Sequence, residues 1–406
     1  MISDAILRRL MVIVPIIMVA AGCASTPPID VTCTNSERFR LEVQTAPIAD
    51  MLLNGEAITP AQMRPGSVES AIFGAMTNFT EEQEARGIYP RRNIAVLSGG
   101  GQFGAYGAGF FDSYLSGAGE GVEFDVVTGV STGALQATGI FLGGEDDLDG
   151  LVEAYAIDRE TDLATRRRSI AGLPLETSIY ELAPARLRFA DYLTDERIAR
   201  VAEKAREGRK LLAGVVEVQD GQFYAFDLTA IAASDRPSAE IRQCYTEAVF
   251  ASAAVPVIFP PVLLDGRQYF DGGVRAAVFL DTTLKALTAM KAEYAKEAKV
   301  YTLFNGSLET PPQDDLAISV LDALNRTRAI AFDQIDRTSL QRIALLADRF
   351  DVNWARIEPG LCVERRDEAP DEEVFNAPFM NCLIAEGQLA GAGPSPFAKI
   401  PPQRSR

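Results

Sequence analysis

Residues 93–104 read NIAVLSGGGQFG, from Asn93 through the apolar run Ile94–Leu97 to Ser98-Gly99-Gly100-Gly101-Gln102-Phe103-Gly104. Four apolar residues closed off by a glycine cluster are the pattern of a strand buried on both faces, as in a parallel sheet. Phe103–Leu115 follows as a Gly/Ala-rich helix. Consecutive glycines let the backbone reach positive φ and turn N–H groups toward the positive end of that helix. Such a turn is an anion hole. Two anions suit it. One is a dinucleotide pyrophosphate, because Gly99, Gly101 and Gly104 satisfy GxGxxG. The other is the oxyanion of a tetrahedral acyl intermediate.

A second strand, Phe124–Thr128, runs into Gly129-Val130-Ser131-Thr132-Gly133, and a helix follows to about Leu142. Strand, glycine turn and helix, twice over, predict an α/β layered sandwich: a mostly parallel central sheet flanked by helices. GxSxG at a strand-to-helix junction forces a serine onto a tight, exposed turn. That context favours the oxyanion over the pyrophosphate. A dinucleotide fold also asks for an acidic residue at the end of its second strand, whereas Asp125 stands at the beginning of this one. A third segment, Asp271-Gly272-Gly273, ends a strand at Tyr269-Phe270. In isolation it is a turn. Beside a nucleophilic serine it is also a carboxylate that its glycines allow to come close.

The chain has 406 residues, 47% hydrophobic and 23% charged, the balance of a folded protein. Its net charge of −17 makes nucleic acid a poor partner. It contains no histidine, with 0 in the count, which excludes Ser-His-Asp and Cys-His hydrolases and HExxH metalloproteases. A serine nucleophile here must give its proton to a carboxylate or a lysine. An aspartate of ordinary pKa, ~3.9, is a weak base for an alcohol. Burial has to raise it, or preorganised oxyanion donors have to carry more of the barrier. With no CxxC spacing and no histidine, the sequence asks for no metal, and no cofactor is expected.

Taken in order, Gly99-Gly100-Gly101-x-x-Gly104, Gly129-x-Ser131-x-Gly133 and Asp271-Gly272 resemble the motifs of the patatin-like phospholipase family. The stretch ASAAVPVIFPP, Ala251–Pro261, is similar to the family's segment shortly before its aspartate. The resemblance covers roughly residues 93 to 307. It implies a modified α/β-hydrolase-like sandwich and metal-free hydrolysis of fatty acyl esters by a Ser-Asp dyad. Carried over, Ser131 is the nucleophile and Asp271 the base, and backbone N–H groups around Gly99, Gly100, Gly101 and Gln102 hold the oxyanion. Two departures bear on the substrate. Phe103 stands where the family usually has Arg or Lys, and Val274-Arg275-Ala276-Ala277 replaces its Asn-Pro. The alternative is a lipoprotein that keeps the fold and binds lipid or a protein without turnover.

The N-terminus reads as an address. Arg8 and Arg9 precede an apolar run from Leu10 to Ala21, too short for a membrane span. Ala20-Ala21-Gly22-Cys23 resembles a bacterial lipobox, which implies a signal peptide over 1–22, lipidation at Cys23 and an outer-membrane anchor beside the lipid substrate. The expected layout is then a tether and extension over 23–88, with a helix at Ser67–Thr77, and the hydrolase domain over 89–307. A helical part over 308–360 and a cysteine-containing tail over 361–406 follow. Within the domain, Leu211–Val218 and Gln222–Leu228 read as a hairpin around Asp220-Gly221. Glu247–Ala254 is a short helix and Val300–Phe304 a buried strand. Leu284, Leu287, Met290 and Tyr294 have helical spacing, as do Leu340, Ile343, Ala347 and Phe350. Cysteines 33, 244, 362 and 382 allow three pairings in an oxidising compartment. Cys362 with Cys382 is favoured, because a tail poor in apolar periodicity gains most from a covalent link.

Overall fold

The computed structural model describes residues 30–31, 33–44, 59–78, 85–87, 92–167, 178–291, 297–306, 320–346, 350–368 and 374–399. Residues 1–29, with the expected signal peptide and Cys23, and also Tyr294 and Ala347, lie outside the described residues. The strands are β1 (Asp30–Val31), β2 (Arg40–Glu42), β3 (Arg92–Leu97), β4 (Val126–Val130), β5 (Thr165–Arg166), β6 (Tyr180–Glu181) and β7 (Lys210–Glu217). They continue as β8 (Phe223–Asp227), β9 (Val262–Leu264), β10 (Arg267–Asp271), β11 (Ala298–Phe304), β12 (Asp351–Arg356) and β13 (Ala398–Lys399). The α-helices are α1 (Val68–Thr77), α2 (Gly104–Leu115), α3 (Thr132–Leu142), α4 (Glu145–Tyr155), α5 (Ala183–Tyr192) and α6 (Asp195–Arg206). After them come α7 (Leu228–Ala232), α8 (Ser238–Ser252), α9 (Leu280–Thr288), α10 (Val320–Leu346) and α11 (Ala377–Gly391).

The chain forms a mostly parallel central sheet between two helical layers. Its strand order is β1-β9-β10-β7-β4-β3-β11-β12-β13, and β8 pairs with both β7 and β2. Neighbours among β7, β4, β3, β11 and β12 run parallel. The run Ile94–Leu97 lies at the centre, in β3 between β4 and β11. Alternate side chains of a strand point to opposite faces. Thus Ile94 and Val96 pack with α1 and α9, while Ala95 and Leu97 pack with α2, α3, α8 and α11. Both faces are covered, which is why Ile94–Leu97 shows no polar alternation.

The hairpin forms as expected, with Leu212 opposite Asp227 and Val216 opposite Phe223. The predicted N-terminal helix is α1, where the Ser67 hydroxyl caps the N–H of Ser70 at 3.1 Å. The helix expected at 247–254 is longer, beginning at Ser238. Arg40 of β2 and Arg267 of β10 both pair with the buried Glu217 of β7, tying the extension to the sheet. Cys33 is bonded to Cys244 of α8, with Cα atoms 5.0 Å apart, and Cys362 to Cys382, with Cα atoms 6.0 Å apart.

The C-terminal third differs from its expected layout. The boundary at 307 does not end the sheet: β12 continues it, from Lys299 opposite Asp351 to Phe304 opposite Arg356. The spacing of Leu340, Ile343, Ala347 and Phe350 merges the end of one helix with the approach to a strand, since α10 stops at Leu346 and β12 starts at Asp351. Nor does the tail lack helical structure. Asn376 caps α11 through the N–H of Phe379 at 3.0 Å, and Phe379, Met380, Leu383 and Ile384 enter the main core. This helix packs closely along α2. Gly387 leaves its side-chain space to the backbone of Tyr106 and Phe110, with Phe110 N only 2.9 Å from where a Cβ would stand.

Gly387→Leu is expected to lower stability by about 1–3 kcal/mol through overpacking of that contact. Gly74→Ala, at a helical position with open space around it, is expected to raise stability by up to about 1 kcal/mol. Thermal or urea denaturation of the two variants checks the contrast.

Candidate active site

The register of β7 brings the two halves of the site together. On one of its edges β8 pairs along Leu212–Val216. A strand has only two edges, so β4 and β10, which overlap that span, share the other. β4 covers Lys210–Gly214 in parallel, and β10 covers Val215–Glu217 antiparallel. The two strands therefore run toward each other and end head to head. β4 finishes at Val130 opposite Gly214, and Ser131 follows; β10 finishes at Asp271 opposite Val215. Both side chains are buried, with Ser131 6% and Asp271 1% exposed.

Ser131 sits at the first turn of α3 with φ 57° and ψ −126°. A non-glycine residue at such a φ costs about 1–3 kcal/mol and persists where its surroundings fix it. They do so here. Gly133 lets α3 lie against β3, its would-be Cβ 2.6 Å from the carbonyl oxygen of Leu97. Gly129 and Gly104 leave similar gaps, filled by Gly133 and by the Thr132 side chain. The Thr132 hydroxyl in turn meets the Tyr155 hydroxyl at 2.5 Å, and burial pushes the Tyr155 pKa up, keeping that phenol protonated.

The C-terminal end of α8 holds both halves. Ser252, wholly buried, accepts the N–H of Ser131 at 2.9 Å and donates to the carbonyl oxygen of Gly214 at 2.6 Å. Two residues on, the carbonyl of Ala254 accepts the N–H of Asp271 at 3.0 Å. The Asp271 carboxylate is oriented by its own turn, with Oδ1 accepting the N–H of Gly273 at 2.7 Å. The stretch singled out as ASAAVP thus braces the serine and the aspartate at once.

The triple-glycine loop is anchored by a buried polar network. The Asn305 amide donates to Ser98 O at 2.9 Å and to Gln136 Oε1 at 3.0 Å, and its N–H reaches Ser98 Oγ at 2.8 Å. Gln136 donates to Gly104 O at 2.6 Å. Gly101 takes φ 58° at the start of a short 3-10 turn, whose first N–H groups have no partner within the turn. One expected donor has to be removed: the N–H of Gly99 goes to the carbonyl of Ala277 at 3.3 Å, because the chain after Asp271 folds back onto it. Gly100, Gly101 and Gln102 retain N–H groups suited to an anion. The Gln102 side chain accepts the N–H of Asn376 at 3.0 Å. Phe103 packs edge-on to Phe379 at 5.2 Å under the Arg366 guanidinium, which lies 5.5 Å from the Phe103 ring centre. The tail therefore reaches the loop and sets a guanidinium over Phe103.

Ser252, Asn305, Gln136 and Arg366 were not singled out in the sequence. Only Ser252 carried a signal, lying within the segment already marked; the other three act across the fold with no local pattern.

Residues 95–284 match the family model described as Patatin-like phospholipase. Among solved structures, VipD from Legionella pneumophila is similar over 75% of this chain and 70% of that chain, at 12% identity and a TM-score of 0.27. No curated protein matches the chain.

Ser252→Ala removes a buried hydroxyl and frees two backbone groups, a change that costs about 1–3 kcal/mol. If the site is catalytic, kcat for an acyl ester falls about tenfold with little change in KM, because ground-state binding does not pass through this bond. Steady-state kinetics on the folded variant check it.

Proposed function

We propose that the patatin-like phospholipase domain of this chain, residues 95–284, is a working lipid acyl hydrolase with a Ser131-Asp271 dyad. The family supports hydrolysis of lipid esters in general. The observation that carries the dyad is the shared edge of β7, against which β4 and β10 end head to head.

In this reading Asp271 takes the proton of Ser131 Oγ as that oxygen attacks the ester carbonyl. The negative charge developing on the carbonyl oxygen is met by the N–H groups of Gly100, Gly101 and Gln102. Those donors are fixed in advance by the Ser98, Asn305 and Gln136 network, so no reorganisation is needed at the moment of reaction. The leaving alcohol collects the proton from Asp271, and the acyl group remains on Ser131. Water, deprotonated by the same carboxylate, then attacks the acyl carbonyl, and Asp271 returns that proton to Ser131 Oγ as the fatty acid leaves. A dyad of this kind needs no imidazole, in keeping with a chain that has none. The apolar acyl chain is the part of the substrate that the buried surroundings favour.

The N-terminal reading extends the proposal: lipidation at Cys23 tethers the enzyme to the cell envelope, in the outer membrane, and sets its active site beside lipid. The motif Ala20-Ala21-Gly22-Cys23 supports this.

Ser131→Ala and Asp271→Asn are each expected to lower hydrolysis of p-nitrophenyl acyl esters by about 10³-fold or more while circular dichroism stays native. Substantial activity in folded Asp271→Asn contradicts the assigned base, and unaltered activity in Ser131→Ala contradicts the hydrolase. For the anchor, Cys23→Ser is expected to release the protein from envelope pellets into the soluble fraction, as fractionation followed by immunoblotting reads directly.

A further inference from the structure

Helix α10 packs on α9 and on the Gly272–Val274 turn that follows Asp271. Two of its residues, one helical turn apart and so on one face, reach the site. The Phe332 ring lies 2.9 Å from where a Cβ on Gly273 would stand, and Oδ1 of Asp271 borders the same space at 3.0 Å. Asp336 reaches the other half. The space of a Cβ on Gly306 is bordered by Asp336 Oδ2 at 3.5 Å and by the carbonyl oxygen of Gly99, in the triple-glycine loop, at 3.7 Å. Asp336 is therefore a half-buried carboxyl group beside the loop that would receive the oxyanion, and none of the steps above uses it.

We propose that Asp336 is a second carboxyl group of the active site, carried in by the roofing helix α10, and that hydrolysis proceeds with it uncharged. The inference rests on the hydrolase reading above. Its physical basis is like-charge repulsion. Attack by Ser131 puts a negative charge on the substrate oxygen at the glycine loop, and an ionised Asp336 next to that loop opposes it. Partial burial strengthens that opposition over its value in water. An uncharged carboxyl group has no such effect, and it also tolerates the apolar ring of Phe332 on the same face.

The titratable and charged residues within one turn of Asp336 on α10 are Asp333 and Arg337; the covered turn carries Asp271 and Arg275, and α9 carries Asp281 and Lys285. Asp333 is paired with Arg337 at 2.8 Å, and Arg275 donates to the carbonyl of Gly221. Burial, and after it the charge of Asp333, pushes Asp336 up to about 7. It is then neutral on the acid side of that value and ionised on the alkaline side. Asp271, as base, must be ionised, so the rate rises with pH through its titration and falls again through that of Asp336.

The test is the pH profile of kcat/KM for an uncharged p-nitrophenyl ester, corrected for spontaneous hydrolysis, with the full chain and with Asp336→Asn. The wild type is expected to lose about a hundredfold in kcat/KM between about pH 6 and pH 9, and Asp336→Asn to stay level over that span. Stability supplies a readout apart from activity. A carboxyl group with a raised folded pKa destabilises the fold progressively as pH rises from the ordinary carboxyl range to its folded value. The wild type should therefore lose melting temperature relative to Asp336→Asn between about pH 4 and pH 7. Should Asp336→Asn not fold, Asp336→Ser and the wild-type profile itself decide. A wild type without an alkaline decline, or a variant with the same decline, overturns the role of Asp336 while Ser131→Ala remains inactive. Full activity in Ser131→Ala instead overturns the hydrolase reading beneath it.

Discussion

The site depends on one edge of one strand. β7 offers a single length of hydrogen-bonding backbone to two partners of opposite direction, and the junction between them falls at Gly214–Val215. Neither β4 nor β10 can lengthen without displacing the other. Their ends, and with them Ser131 and Asp271, are thus fixed by sheet register and not by loop conformation. Ser252 ties the junction on both sides by hydrogen-bonding Gly214 and Ser131. A serine at unfavourable φ and an aspartate on a glycine turn are both costly to hold in place. The rigidity of a sheet buried on both faces is what offsets that cost.

Much of this was legible in short stretches. Ile94–Leu97 announced a strand covered on both faces, because burial removes alternation. The glycines at 99–104 announced a turn at positive φ, which Gly101 takes, and those around Ser131 a tight turn, where Gly133 leaves room for the Leu97 carbonyl. What remained hidden was long-range. Nothing near Asn305 or Gln136 reveals that they hold Ser98 and Gly104, since the partners lie 207 and 32 residues away. The engagement of the Gly99 N–H by Ala277 was hidden for the same reason. β12 was masked by a helical spacing that ran across the end of α10. The apolar periodicity of the tail is confined to one short stretch, where Phe379, Met380, Leu383 and Ile384 have the spacing of one helical face.

The additions around the domain are part of the machine. Cys33 to Cys244 fastens the N-terminal extension to α8, the helix whose far end carries Ser252. At the other terminus α11 lies along α2, Asn376 holds the Gln102 side chain, and Arg366 covers Phe103 and Phe379. The glycine loop is thereby braced from outside the stretch that carries the motifs. The Arg366 guanidinium stands over the Phe103 and Phe379 rings, an arrangement that cation–π attraction favours.

The most direct test of the account is where a fluorophosphonate reacts. Intact mass spectrometry and peptide mapping of the folded protein should find one adduct, on Ser131, formed much more slowly in Asp271→Asn. An adduct on another serine, or none at all on a protein shown to be folded, would contradict it.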